Sequence, residues 1–145
     1  MHKPGNVLMV CLGNICRSPL AQGIFENMSK NFKIKVDSAG VANYHAGYPP
    51  DKRSINIAQK NGIDISMQKA RQIRTKDFND FDYIFVMDKE NLHDVRKLFL
   101  NNNSEVIALP HQLPQSPPSI ALIIYSNLPR STNKQQTWPS SPRLP

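Results

Sequence analysis

The chain has very little cysteine, and the two it has, Cys11 and Cys16, stand in one short stretch. A secreted disulfide framework spaces its cysteines to join distant segments, whereas this pair can close only a small loop; a reducing, cytoplasmic setting is expected. There is no apolar leader and no apolar run long enough to cross a bilayer, so neither secretion nor a membrane partner is expected. Histidines and carboxylates nowhere cluster at metal-ligand spacing, so no metal and no other cofactor is expected. Acidic residues are scarce at one end: no aspartate follows Asp94 and no acidic residue follows Glu105. The balance is a net charge of +7 with a pI near 9.6. That suits an anionic partner, and phosphorylated molecules and nucleic acid both qualify. No aromatic-basic motif accompanies the charge, so nucleic acid is not the expected one.

What the sequence does have is concentrated in Val10-Cys11-Leu12-Gly13-Asn14-Ile15-Cys16-Arg17-Ser18-Pro19. The apolar run Val7-Leu8-Met9-Val10 leads into a turn at Gly13-Asn14, and Ser18-Pro19 opens an amphipathic stretch; the pattern is strand, loop, helix start. Backbone N–H groups of such a loop, with those of the helix N-terminus, converge on an anion. A cysteine at the bottom of that bowl has its thiolate favoured and becomes a nucleophile. Arg17 contributes a planar fork that can grip two phosphoryl oxygens into a transition state. Ser18 has two candidate roles, helix N-cap and hydroxyl donor to the Cys11 sulfur. The spacing of a cysteine and an arginine alone fits a buried thiol beside a solvated arginine equally well. The strand before and the helix start after it give the stretch its catalytic sense. Cys16 reads either as a redox brake on Cys11 or as a small apolar residue.

Along the chain, residues 5–11 read as a central parallel strand, apolar on both faces. Leu20, Ile24 and Met28, with Phe25 beside them, predict a helix from Ser18 to near Lys30-Asn31. Phe32, Ile34 and Val36 alternate with Lys33, Lys35 and Asp37 and predict a second strand closed by Ser38-Ala39-Gly40. A Gly- and Pro-rich loop follows, carrying Tyr44 and Tyr48, with His45 read as a surface or hydrogen-bonded loop histidine. Asp51 is the expected cap of a helix to Lys60-Asn61 that turns Ile55, and Ala58 or Ile57, inward, with Gly62 as its stop. Ile63 to Ser66 reads as a short extended piece and Asp77-Phe78 as a helical turn. Tyr83 to Met87 reads as a buried strand ending at Asp88. A helix from Lys89 to Leu100 then presents Leu92, Val95 and Phe99 to the core, and Val106 to Leu109 makes a last short strand. The expected fold class is α/β: a doubly wound parallel sheet of about four strands with flanking helices and its ligand beyond the carboxyl ends.

Residues 10–19 resemble, residue for residue, the signature of the low-molecular-weight protein tyrosine phosphatases. Asp37-Ser38-Ala39-Gly40, Tyr44-His45-Ala46-Gly47, Pro49-Pro50-Asp51, Lys69-Ala70-Arg71-Gln72 and Val86-Met87-Asp88 extend the resemblance over about residues 5–109. It implies hydrolysis of phosphotyrosine in a protein, or of a small aryl phosphate, through a cysteinyl-phosphate. Cys11 and Arg17 would be catalytic, and Leu12, Gly13, Asn14, Ile15, Cys16 and Ser18 would form the phosphate loop. Ser38 would hydrogen-bond toward that loop and steady Asn14, Tyr44 would line the substrate pocket, and residues 69–72 would brace the loop from behind. Gln68 stands where many relatives carry a histidine in this brace, which implies tuning rather than collapse. A second chemistry on the same fold, arsenate reduction, needs relay cysteines beyond the loop, and none follows Cys16.

The resemblance stops near residue 109, dividing the chain into a phosphatase-like unit, 1–109, and an atypical tail, 110–145. Eight of twelve prolines lie from Pro110 onward, which predicts an irregular or disordered tail. The family's general acid, from an Asp-Pro-Tyr segment, and its final helix are not matched there, so no general acid is assigned. Asp88 lies at the right edge of the sheet, but its family counterpart is not the acid. The tail reads as a frameshift, an alternative exon or an adaptor segment with Pro114 and Pro117 in a Pro-x-x-Pro spacing. Impaired turnover follows, and the alternative reading is a phosphate- or phosphotyrosine-binding pseudophosphatase.

Overall fold

The structure, a computed structural model, describes residues 5–98 and 105–108. Four strands, β1 (Val7–Cys11), β2 (Val36–Gly40), β3 (Tyr83–Val86) and β4 (Glu105–Ala108), pair in the order β2-β1-β3-β4, all parallel. Four helices accompany them among the described residues: α1 (Arg17–Met28), α2 (Lys52–Lys60), α3 (Asp77–Asp80) and α4 (Lys89–Lys97). β1 is buried at every position because both its faces are covered. Leu8 and Val10 point to a layer with Ile73, Phe78, Phe81, Ile84, Val86 and Val95, while Val7, Met9 and Cys11 face Ala21 and Met87. The period-two alternation of a strand thus sorts one apolar run into two cores. A third cluster, Leu20 and Ile24 with Ala58 and Ile65, joins α1 to α2. Gly23 permits this approach, since a β-carbon there would sit 2.4 Å from Ile65 Cγ2.

The expected fold class holds, with shifts at element ends. α1 ends at Met28, which is exposed, not near Lys30-Asn31 with Met28 in the core. The alternation from Phe32 is not strand. β2 begins at Val36, where Val7 first offers a partner, so residues ahead of it have no ladder to join. Phe32 is 64% exposed and turns back through its N–H to the Ser29 carbonyl. Ser38, Ala39 and Gly40 form the last three residues of β2, closing it as expected. Asp51 caps α2 by accepting from the Arg53 N–H at 2.8 Å, and Gly62, at φ +74°, follows its end as predicted. Residues 109–145, including the expected tail and its proline-rich segment, lie outside the described residues, as does Phe99.

Candidate functional site

From β1 the chain crosses to β2 on one side, and β3 lies on the other, so the order of the sheet reverses between β1 and β3. A crevice opens beyond the carboxyl ends of strands at such a reversal. Residues 12–16 occupy one lip, and Met87-Asp88 the other; the Met87 N–H reaches the Val10 carbonyl at 3.1 Å. The sheet therefore delivers Cys11 and Asp88 to the same place from segments more than seventy residues apart.

Cys11 Sγ, buried, receives the Asn14 backbone N–H at 3.2 Å and lies 3.0 Å from Ser18 Oγ. Asn14 is the conformational key. Its φ of +55° is the one left-handed non-glycine angle among the described residues, and it folds the loop back over the sulfur. Its side chain is held on every polar atom: Nδ2 donates to Ser18 Oγ at 2.8 Å and to Ser38 Oγ at 2.9 Å, and Oδ1 accepts from the Arg71 N–H at 3.0 Å. The Ser38 hydroxyl in turn donates to Gln22 Oε1 at 2.6 Å. The backbone N–H at Oδ1 fixes which way the amide points. Ser18, already an acceptor from Asn14, then has its hydroxyl hydrogen free for the cysteine sulfur.

Ser18 is therefore set against the sulfur, where its hydroxyl can donate, and is not the N-cap. α1 starts at Arg17, with Cys16 in the cap position and no side-chain cap bond. The loop is clasped from outside through its carbonyls: Cys11 O by Val41 N–H at 2.9 Å, Leu12 O by Ala42 N–H at 2.9 Å, Ile15 O by Asp51 N–H at 2.6 Å. Gly40 makes the close approach possible, because a β-carbon there would lie 2.9 Å from the Leu12 carbonyl oxygen and 3.0 Å from Gly13 C.

The Arg17 side chain is buried, and its Nη1 donates to Asp88 Oδ2 at 2.8 Å. The other Asp88 oxygen accepts from the Asn91 N–H at 2.7 Å, capping α4. One carboxylate thus orients the guanidinium and starts a helix. This role was missed in the sequence, although an aspartate straight after an apolar strand and before a helical pattern is a visible cap signal. Gln22, which anchors Ser38, carried no local signal; it looks like any polar residue of a helix.

Cys16 is half-buried at the position that precedes α1. Burial pushes its thiol up from the usual range, with the Ser54 hydroxyl, 3.4 Å away, working in the opposite direction. Both cysteines are free thiols. Within the loop, Leu12 is exposed and Ile15 is half-buried. Tyr44 and Tyr48 are both well exposed and flank His45 edge-on, with ring centroids 6.5 and 6.4 Å apart. His45 lies against Gly13, 3.0 Å from where a β-carbon would stand, so this aromatic group borders the loop. Gln68 Nε2 bonds the Pro19 carbonyl at 3.1 Å, bracing the first turn of α1. Among the described residues no group of three or more His, Cys, Asp or Glu side chains is arranged to hold a metal. Within the same residues no helix is long and apolar enough to cross a membrane.

Comparison with known proteins agrees with this geometry. The sequence profile of the family described as low molecular weight phosphotyrosine protein phosphatase matches residues 6–119. The low molecular weight protein-tyrosine-phosphatase YfkJ of Bacillus subtilis is 44% identical over 97 residues, 64% of this chain and 62% of that protein. The low molecular weight phosphotyrosine protein phosphatase of Rattus norvegicus is 48% identical over 98 residues, 63% of this chain and 60% of that protein. The chain thus spans about three fifths of the length of these curated relatives. The crystal structure of YfkJ superposes with a TM-score of 0.70 at 41% identity, covering 74% of this chain and 71% of that one.

Proposed function

The chain belongs to the low molecular weight phosphotyrosine protein phosphatase family, and from that premise we propose that it hydrolyses phosphotyrosine in proteins, or small aryl phosphates, through a cysteinyl-phosphate. Cys11 Sγ attacks phosphorus and the P–O bond to the phenol breaks. The loop of residues 12–16 and Arg17 take the charge on the phosphoryl oxygens. Water then attacks the thiophosphate, releasing inorganic phosphate and returning Sγ as a thiolate. Ser18 and the Asn14 N–H meet that leaving sulfur. The observation that carries the reading is this pair of contacts, 3.0 and 3.2 Å from Sγ, at the sheet's reversal point. Tyr44 stacks on the substrate ring at the rim. Neither metal nor cofactor takes part, and the protein works in the cytoplasm.

The functional unit is 1–109, with 110–145 as an appended tail. Residues 106–145 contain no carboxylate to act as general acid. The departing phenolate then takes its proton from solvent, and turnover is slower by about 10²- to 10⁴-fold than with a placed acid. The same observation favours a second reading, a phosphotyrosine-binding protein that scarcely turns over. A series of aryl phosphates with phenols of graded acidity tests both. Turnover confined to the most acidic phenols supports unassisted departure; equal rates across the series would contradict it, and no turnover with retained phosphate affinity would establish the binding protein.

A further inference from the structure

The proposed reaction uses Asn14 to aim Ser18 at the sulfur, and something must hold Asn14. Its Oδ1 is fixed by the backbone N–H of Arg71, in a strip, residues 70–73, that belongs to no regular element. This strip touches both parts of the site. The Arg71 carbonyl accepts from Gly40 N–H at 2.7 Å, and the Ile73 N–H returns to the Gly40 carbonyl at 2.8 Å. On its other side Ala70 exchanges hydrogen bonds with the rim loop, its carbonyl accepting from Gly47 N–H and its N–H donating to the Tyr48 carbonyl, both at 2.8 Å.

The Arg71 side chain locks the strip in register. Its Nη1 and Nη2 grip both oxygens of Asp77 at 2.9 and 3.1 Å, and its Nε and Nη2 reach Asp37 Oδ2 at 3.2 and 3.0 Å. Asp77 is buried, and its Oδ2 also accepts from the Arg74 N–H at 2.7 Å, so the carboxylate cannot swing away from the fork. Asp37 is held in turn through Oδ1 by the Ser38 N–H at 2.8 Å, one residue from the serine that supports Asn14. A bidentate arginine between two fixed carboxylates admits one side-chain position. That position leaves the backbone N–H aimed at Asn14.

We propose that Asp77 and Arg71 are positioning residues for Cys11, acting through the Arg71 N–H, Asn14 and Ser18. This deepens the proposed phosphatase reading and rests on it. A structural ion pair alone would change stability and leave the sulfur's reactivity untouched, whereas a positioning pair changes that reactivity in a folded protein. Misplacement of about 1 Å by a remote change costs up to about 10²-fold.

Asp77→Asn keeps the acceptor for Arg74 and removes the charge; Arg71→Lys keeps the charge and removes the fork. In the full chain, each is measured by thermal melting, by alkylation of Cys11 with iodoacetate at pH 6, and by kcat and KM on p-nitrophenyl phosphate. Cooperative melts with alkylation and kcat both down about tenfold, and KM within about twofold, are expected. Ser18→Ala added to Asp77→Asn should lower kcat less than Ser18→Ala alone. A folded variant with wild-type alkylation and kcat would overturn the proposal. So would loss of the cooperative melt in both variants, which would assign the cluster to stability. If the wild-type chain hydrolyses nothing, the phosphatase reading fails while the alkylation rates still decide whether this cluster positions Cys11.

Discussion

Replacing Asn14 should be among the most costly single changes in this chain, and its cost can be divided. The side chain is almost fully buried and makes three hydrogen bonds. In Asn14→Ala, Ser18 keeps its contact with Cys11 and Ser38 keeps Gln22, so each of those two losses is an ordinary net hydrogen bond of about 1 kcal/mol. The Arg71 N–H is different, because it is left without its acceptor; an orphaned donor costs about 1–3 kcal/mol. Alanine at φ +55° adds about 1 kcal/mol of backbone strain. The sum is about 4–6 kcal/mol, a large share of the roughly 5–15 kcal/mol that holds a domain folded. Asn14→Gly loses the same bonds but escapes the strain, and should be the milder variant by about 0.5–1 kcal/mol. Urea unfolding of the three proteins measures both differences. A loss below about 1 kcal/mol in Asn14→Ala, or a glycine variant less stable than the alanine one, would refute the reasoning.

Other changes test other parts of the site. Asp88→Asn retains a cap acceptor for Asn91 but loses the charge facing Arg17, and Asp88→Ala loses both; the alanine variant should be less stable in urea by about a further 1 kcal/mol. Gly40→Ala drives a β-carbon onto three backbone atoms, so it should cost about 1–3 kcal/mol and displace residues 12–13, seen as weaker phosphate protection against thermal unfolding. The Cys16 thiol, raised above its usual 9.0 chiefly by burial, binds its proton more tightly in the folded chain. Its contribution is whole below pH 9 and is lost as pH climbs from there through the folded value, so stability should fall more steeply above pH 9 in the wild type than in Cys16→Ala.

The sheet and the loop were legible because their signals are local. The run at Val7 to Val10, the turn at Gly13-Asn14 and the helical spacing from Leu20 each announce themselves within a few residues. Ser38 was found by resemblance, and its bond to Asn14 agrees. The misplaced strand start has a physical cause: the alternation at Phe32 to Val36 is a true pattern, but strands need partners, and β1 offers none before Val7. The specific contacts that complete the site were not legible for a related reason. Asp88, Gln22 and the Arg71 N–H act on Arg17, Ser38 and Asn14 only because parallel pairing brings distant segments to one edge. No spacing rule encodes that meeting. The N-cap assigned to Ser18 failed because its hydroxyl has a better use, turned toward sulfur.

The central claim is that Cys11 is a nucleophile toward phosphorus, and the most direct test is hydrolysis of p-nitrophenyl phosphate by the wild-type chain beside Cys11→Ser. Release of phosphate by the wild type, with a phosphoryl group trapped on Cys11 by rapid acid quench and neither signal in the serine variant, is the expected result. Equal rates in the two proteins, or turnover with no phosphate on Cys11, would contradict it.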